Sequence, residues 1–422
     1  RNQIVHGRPR LGLHRHRNLY RQYHISTKIP SCHGGIMPLQ PTLQIRLYDN
    51  NLTTPTLLED LTERVMGLKF GTALNGGFKM CTFTLGTGIG AAWNWLSREG
   101  KKGYHFNRIT IHEEQTLVWE GRISDISLQV QSGQQTIAVI AQGYWASTHD
   151  QYYSDDDGSR TDWTSGSGHE IHDIIKEVLT AECPDINSDQ TNIATGSRDL
   201  AGINLSAKEY PQAIINNLTA LSDSDGAVWF FAIWDNRIPY LFKRAVTQID
   251  WYVWLADLGN LRLQQSALEL RNAIIPTVGG TAGTTQTDAT SLVLYPRREL
   301  KISLPTGTNA NTQADAAGTA ASEKALPRQQ QSFSVSGKIY RTAGDAGGRL
   351  EETPLWRVRA GEVIRIQDLV PSSAATPALD DVRTFYIMET NYNADSNVLT
   401  IQPDRQAFRL STVLNRLGDI EK

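Results

Sequence analysis

Three groups of residues in this chain have types and spacing that could do chemistry. His169-Glu170-Ile171-His172 offers two imidazoles and a carboxylate in four residues, the raw material of a zinc-dependent hydrolase. Such a helix needs its histidines at i and i+4, and these stand at i and i+3, with Glu170 accounted for as a helix-capping residue. Asp155-Asp156-Asp157-Gly158 and Asp223-Ser224-Asp225-Gly226 are oxygen-rich turns of the kind that can hold calcium. Neither runs on to the bidentate Glu of an EF-hand loop, so turn chemistry explains both. Trp229, Trp234, Trp251 and Trp254 could stack on sugar rings, yet Trp229 lies in a run with Phe230 and Phe231 that a strand would bury. The glycine-rich "GTGIGAAW" from Gly86 follows a hairpin pattern and opens no βαβ unit, and no GxSxG elbow or phosphate loop is present. The expectation is of a protein that is not an enzyme, with no catalytic residue, no cofactor and no metal.

Elements, not sites, therefore dominate the chain. Its 422 residues suffice for two or three domains, and 40% hydrophobic with 20% charged residues is an ordinary globular composition. No apolar run approaches the ~20 residues that span a bilayer, so no membrane anchor is expected. Cys32, Cys81 and Cys183 are odd in number, widely spaced and without a CxxC, and read as reduced thiols. The net charge of −3 conceals an asymmetry, because residues 1–36 hold seven cations, five of the ten histidines and no acid. The remainder carries 34 basic against 44 acidic residues, a balance of −10. The segment reads either as a basic arm for nucleic acid or, since Gly34-Gly35 can be encoded by a ribosome-binding sequence just ahead of Met37, as a leader that is not translated.

From Thr42 to Tyr144 the pattern alternates in period two. "TLQIRLYD", the two runs of "GLKFGTALNGGFKMCTFTLG" around Asn75-Gly76-Gly77, the hairpin "RITIHEEQTLVWEGRISDISLQV" and "QTIAVIAQGYW" predict a β-barrel or sandwich over 37–150. After "QYYSDDDGSRTDWTSGSG" the period becomes 3.6. Ser167 and Glu170 form a capping box before Ile171, Ile174, Ile175, Val178 and Leu179, and a second helix starts near Pro211 with Ile214, Ile215, Leu218 and Leu221 on one face. With the aromatic hairpin "AVWFFAIWDNRIPYLFKR" these predict an inserted α+β domain over 151–255. A second β-barrel domain is expected over 256–403, holding a linker "VGGTAGTTQTDAT" too poor in apolar residues to pack and a helix near 312–326. Its closing hairpin, "RTFYIMETNYNADSNVLTIQPD", is apolar on both faces and is expected to be covered on both. Residues 404–422 place Phe408, Leu410, Val413, Leu414 and Leu417 at helical spacing, a C-terminal amphipathic helix.

With "LNGGFKMCTFTL" and "LVWEGRISDI" near the front, "SLVLYPRRELKISL" before an alanine-rich helix, and "LWRVRAGEVIRIQDL" leading into the closing hairpin, the chain after Met37 resembles the hub proteins (minor tail proteins) of tailed-bacteriophage tail tips and baseplates. The resemblance implies a mainly β fold of two tail-tube-like β-barrel domains with a small inserted α+β domain. It implies a structural hub, a homotrimer whose ring joins the tail tube to the tip and lets DNA pass without specific binding. Partners would be the tail-tube or distal tail protein ring, tip or fibre proteins and the tape-measure protein, and the location would be the virion tail tip, assembled in the bacterial host cytoplasm. The acidic balance of the body would suit a lumen through which DNA slides. Two other readings stay open: a receptor- or carbohydrate-binding tail protein, favoured if the tryptophans of 229–254 lay exposed in a row, and a secreted hydrolase, favoured if a pocket joined His169 or His172 to the acidic turns.

Overall fold

In a computed structural model of the chain, residues 43–51, 53–87, 94–96, 103–131, 134–153, 170–197, 209–220, 228–243, 249–268, 270–304, 309–325, 328–342, 349–369 and 384–404 are described. The basic segment 1–36, Asp155–Asp157, Ser167, His169, Asp223, Asp225, Gly226 and the predicted helix after 404 lie outside them.

Strands form where alternation or apolar runs demand them. The front of the chain gives β1 (Leu43–Tyr48), β2 (Leu57–Asp60), β3 (Val65–Ala73), β4 (Gly76–Thr87), β5 (Arg108–Glu113), β6 (Thr116–Gln131) and β7 (Gln134–Gln142). In β1 every second residue is buried, Leu43, Ile45 and Leu47, as period-two patterning requires. The next region holds α1 (Ile171–Glu182), α2 (Pro211–Thr219), β8 (Trp229–Trp234) and β9 (Ile238–Lys243). Ile171, Ile174, Ile175, Val178 and Leu179 of α1 and Ile214, Ile215 and Leu218 of α2 are buried as predicted, in a core of their own with Trp229, Phe231 and Ile233, while Leu221 lies outside the described residues. β10 (Trp251–Trp254) and β11 (Leu258–Ser266) follow.

Residues 273–323 then build a small second sheet that the sequence pattern did not foretell. It consists of β12 (Ala273–Val278), β13 (Thr281–Ala282), β14 (Gln286–Thr287), the short helix α3 (Ala289–Leu294) and β15 (Glu299–Leu304), with α4 (Ala310–Glu323) against it. The expected glycine- and threonine-rich linker is thus a correction. Positive φ at Gly279 and Gly280 turns β12 back onto β13, so backbone pairing does what side-chain packing cannot. The chain closes with β16 (Arg328–Val335), β17 (Ile339–Thr342), β18 (Leu350–Thr353), β19 (Val363–Gln367), β20 (Thr384–Asn393) and β21 (Val398–Pro403).

The fold is mainly β with an α+β insert. Its hydrogen-bonded path among the described strands is open and branched, not a closed barrel. The reason lies at β3, whose free edge is taken by β20 from the far end of the chain and so does not turn back onto β2. Residues from both ends consequently share one core, where Phe70 meets Tyr392 with ring centroids 5.4 Å apart and Trp356 meets Tyr392 at 5.7 Å. The closing hairpin is covered on both faces only at its base, at Phe385, Tyr386 and Ile387. Further out one face is open, because Asn391 and Thr400 stand there and remain exposed.

Candidate functional site

The chemically suggestive residues do not converge. His172 is buried, with Nδ1 2.9 Å from Ser197 Oγ and 3.0 Å from Glu170 Oε2, and Nε2 3.2 Å from Asp173 Oδ1. The grouping has the composition of a hydrolytic triad, but Ser197 Oγ is already engaged, accepting the backbone N–H of His172 at 3.0 Å. Ser197 therefore does the work assigned to the Ser167–Glu170 box. Glu170 is itself the N-cap residue and makes no side-chain cap bond, so the orphan amide of the first turn is satisfied from a distant loop. Ser197→Ala should cost about 1 kcal/mol, the usual loss for a removed cap, read as a shift in the denaturation midpoint. A cost above that of a core deletion would contradict a capping role.

Trp229 and Trp251 are buried, and Trp234 and Trp254 are half-buried with an edge against Phe78 and Tyr340 respectively, so the four do not form an exposed row. Cys81 and Cys183 are buried thiols, and burial pushes Cys183 up to about 12, far from a nucleophile's range. No group of three or more His, Cys, Asp and Glu side chains among the described residues could hold a metal ion, and no described helix is long and apolar enough to cross a membrane.

Two other arrangements carry more structural consequence. One is the junction where the first β region, the insert and the last β region meet. Glu120 on β6 is fully buried; its Oε2 accepts from Arg108 Nη2 at 2.6 Å and its Oε1 from the backbone N–H of Arg237 at 2.6 Å, in the turn between β8 and β9. Burial pushes the Glu120 carboxyl above its ordinary value, and Arg108 and Arg237 oppose that push. Arg122, two residues on, reaches Asp185 at 2.9 Å and Asp150 at 2.8 Å. Burial works against its charge, and the two carboxylates outweigh that and raise it. From the last region, Arg359 makes two bonds to Asp235, at 2.9 and 3.0 Å, and a third to the carbonyl of Leu117 at 3.0 Å, lying over the rings of Phe78 and Trp234. Arg357 and Trp356 both donate to Glu113 of β5, at 2.6 and 3.2 Å. A planar guanidinium that touches all three regions at once fixes their relative orientation more than a flexible ammonium could.

The second arrangement is a run of eight antiparallel strands, β6-β7-β4-β3-β20-β21-β16-β11, that crosses from the front of the chain to the back. Its first four strands and its last four repeat one register. β6 and β7 pair Ile126 with Val139 and Leu128 with Ile137; β20 and β21 pair Thr390 with Ile401 and Tyr392 with Leu399. Each pair breaks register at the corresponding place, between Ile123 and Asp125 and between Ile387 and Glu389. Val139 faces Phe83 on β4 as Ile401 faces Phe333 on β16, and the following pairs match in turn. Lys69 on β3 lies opposite Thr82, as Arg262 on β11 lies opposite Ser332, each after a register break at a glycine, Gly67 or Gly259. Even the next strand outward agrees, with Ile109 of β5 opposite Gly121 and Ile364 of β19 opposite Phe385.

One face of this sheet is the core. On the other face Ser127, Thr82, Thr84, Asn391 and Thr400 are exposed or half-exposed, accompanied by Lys69, Asp125 and Glu389. A depression of about 420 Å³ there is lined by Lys69, Met80, Thr82, Asn391, Asn393 and Thr400 among others. Among the described side chains the charges of this face are mixed, Lys69 against Asp125 and Glu389, with hydroxyls and amides between them.

No protein-family model matches the sequence, and no curated protein matches it. Among solved structures, the chain is similar to the 43 kDa tail protein of prophage MuSo2 from Shewanella oneidensis, with a TM-score of 0.54 at 12% identity over 86% of this chain and 98% of that one. It is also similar to the tail protein from Neisseria meningitidis MC58, with a TM-score of 0.58 at 9% identity over 87% of this chain and 98% of that one. The fold is that of these tail proteins.

Proposed function

We propose that the chain is a structural hub of a phage-type tail, in which residues 37–150 and 256–403 act as two equivalent wall segments and 151–255 decorates them. The observation that carries this reading is the eight-stranded sheet with its repeated register, seen in a fold shared along nearly the whole length of known tail proteins. Two like segments per chain let three chains present six similar segments, which is what joining a six-fold tube to a three-fold tip requires. The tail-tube or distal tail ring would sit on one rim, and tip or fibre proteins on the other, with the tape-measure protein and then DNA within.

The mixed polar face suits passage. Phosphate sticks to surfaces through clustered cations, and this face mixes Lys69 with Asp125 and Glu389 among hydroxyls and amides. A lumen lined in this way would hold phosphate only weakly. The carbohydrate-binding reading draws no support from the buried Trp229 and Trp251.

Mass spectrometry of purified tails should find this chain, and particles made without it should have tubes lacking a tip. Tails that assemble complete and infectious without the chain would end the hub reading.

A further inference from the structure

We infer that β11 of one copy pairs antiparallel with β6 of the next, in the register that β3 makes with β20 inside the chain. The inference rests on the ring proposed above, and it names the strands and residues that close it. β3 is to β11 as β20 is to β6, by the four matching registers. Inside the chain β3 and β20 are joined through Lys69 opposite Asn393, Phe70 opposite Tyr392 and Thr72 opposite Thr390. The equivalent partners of the other two strands are not in the same chain. β6 from Asp125 onward has β7 on one side, and among the described residues no strand on the other, since β5 ends its pairing at Arg122. β11 has β16 on one side and no described strand on the other.

Each edge carries a single charge, Asp125 or Arg262, and little else that would guard it. Exposed edge strands are ordinarily blunted by proline, lysine, a bulge or shortness. Residues 125–130 are Asp-Ile-Ser-Leu-Gln-Val and residues 260–266 Asn-Leu-Arg-Leu-Gln-Gln-Ser, with neither proline nor lysine in either. The register break at Ser124 is no guard, because its counterpart at Met388 stands beside an edge that β3 does pair. No described strand takes the backbone donors and acceptors of these two edges, and the matching registers point to a strand of a second copy.

Transferring the internal register gives the pairs Arg262 with Gln129 and Leu263 with Leu128 of the next copy, continuing through Gln264 with Ser127 and Gln265 with Ile126. Beyond Phe70 the pairing of β3 with β4 shifts again, between Phe70 and Thr72, and β11 runs straight at the equivalent place. The contact is heterologous, so it closes into a ring when the angle per copy fits three.

The test uses the full chain carrying Gln129→Cys and Arg262→Cys. Directly opposed residues of an antiparallel pair have Cβ atoms about 4.5–5.5 Å apart, close to disulfide reach. Mild oxidation should give a covalent trimer on a non-reducing gel and nothing larger. Each single variant should give none, which also controls for the native thiols. Gln129→Cys with Ser266→Cys should give none either, since four residues along a strand is roughly 13 Å. In unmodified protein, backbone amides of 125–129 and 262–266 should be protected from hydrogen exchange. A trimer by light scattering whose Gln129/Arg262 pair stays unlinked, or whose edge amides exchange freely, overturns this junction and leaves the hub reading standing. A strict monomer at high concentration overturns both.

Discussion

Gly77→Ala should unfold the join between the first β region and the insert, at a cost above about 3 kcal/mol. Gly77 has φ +84°, where a side chain costs roughly 1–2 kcal/mol by backbone strain alone. A Cβ there would also fall within the contact distance of the Ile233 carbonyl oxygen and its carbon, which are backbone atoms and cannot swing aside. They are held because Gly76 and Gly77 pair in parallel with Ala232 and Ile233 of β8. Relief requires that β4 and β8 separate, and with them the contact of Phe78 with Trp234, whose ring centroids stand 5.2 Å apart edge to face. Gly280→Ala provides the comparison, for its φ is +83° and nothing lies within 4 Å of the added carbon. Urea denaturation should show the strain cost alone at Gly280 and the strain plus the clash at Gly77. Equal costs would mean that the close approach to Ile233 does not matter.

Glu120→Ala should cost about 3–5 kcal/mol, the usual penalty when one partner of a buried ion pair is removed. It would strip Arg108 of its carboxylate and leave the Arg237 amide without an acceptor in the centre of the junction. Glu120→Gln keeps the shape and one acceptor oxygen, so its cost should be smaller. The pair also has a pH signature. Because burial holds the Glu120 carboxyl above its ordinary value, the native state keeps this proton to higher pH than the unfolded chain does. Stability from this group is therefore fully present below the unfolded value, near 4.5, and falls as pH rises through the folded one. Subtracting the Glu120→Gln curve from the wild-type curve across that window isolates the effect, which should slope downward with rising pH. A flat or rising difference would mean that Arg108 and Arg237 outweigh burial.

The mainly β class with its α+β insert was legible because it rests on local periodicity. Ile171 to Leu179 could only be one face of a helix, and Leu43, Ile45 and Leu47 only one face of a strand. The short strands within 278–290 were not legible, since turn glycines and threonines there pair through backbone and leave no apolar signal. Nor was the cap on the first helix, for Ser197 approaches from 25 residues away and Ser167, nearer in sequence, fitted the pattern better.

What only tertiary structure decided is the register across distance. Phe83-Thr84-Leu85 and Phe333-Ser334-Val335 are a faint trace of the repeat, but a few matched apolar residues recur by chance in any strand-rich chain. The repeat lies in which residue opposes which, and pairing between strands 318 residues apart, such as Thr72 with Thr390, is set by shared burial and backbone hydrogen bonding that no local window contains. The same holds for Arg359 and Glu120. An arginine or glutamate in sequence is read as a surface charge, and only when three regions close around it does desolvation make its partners obligatory.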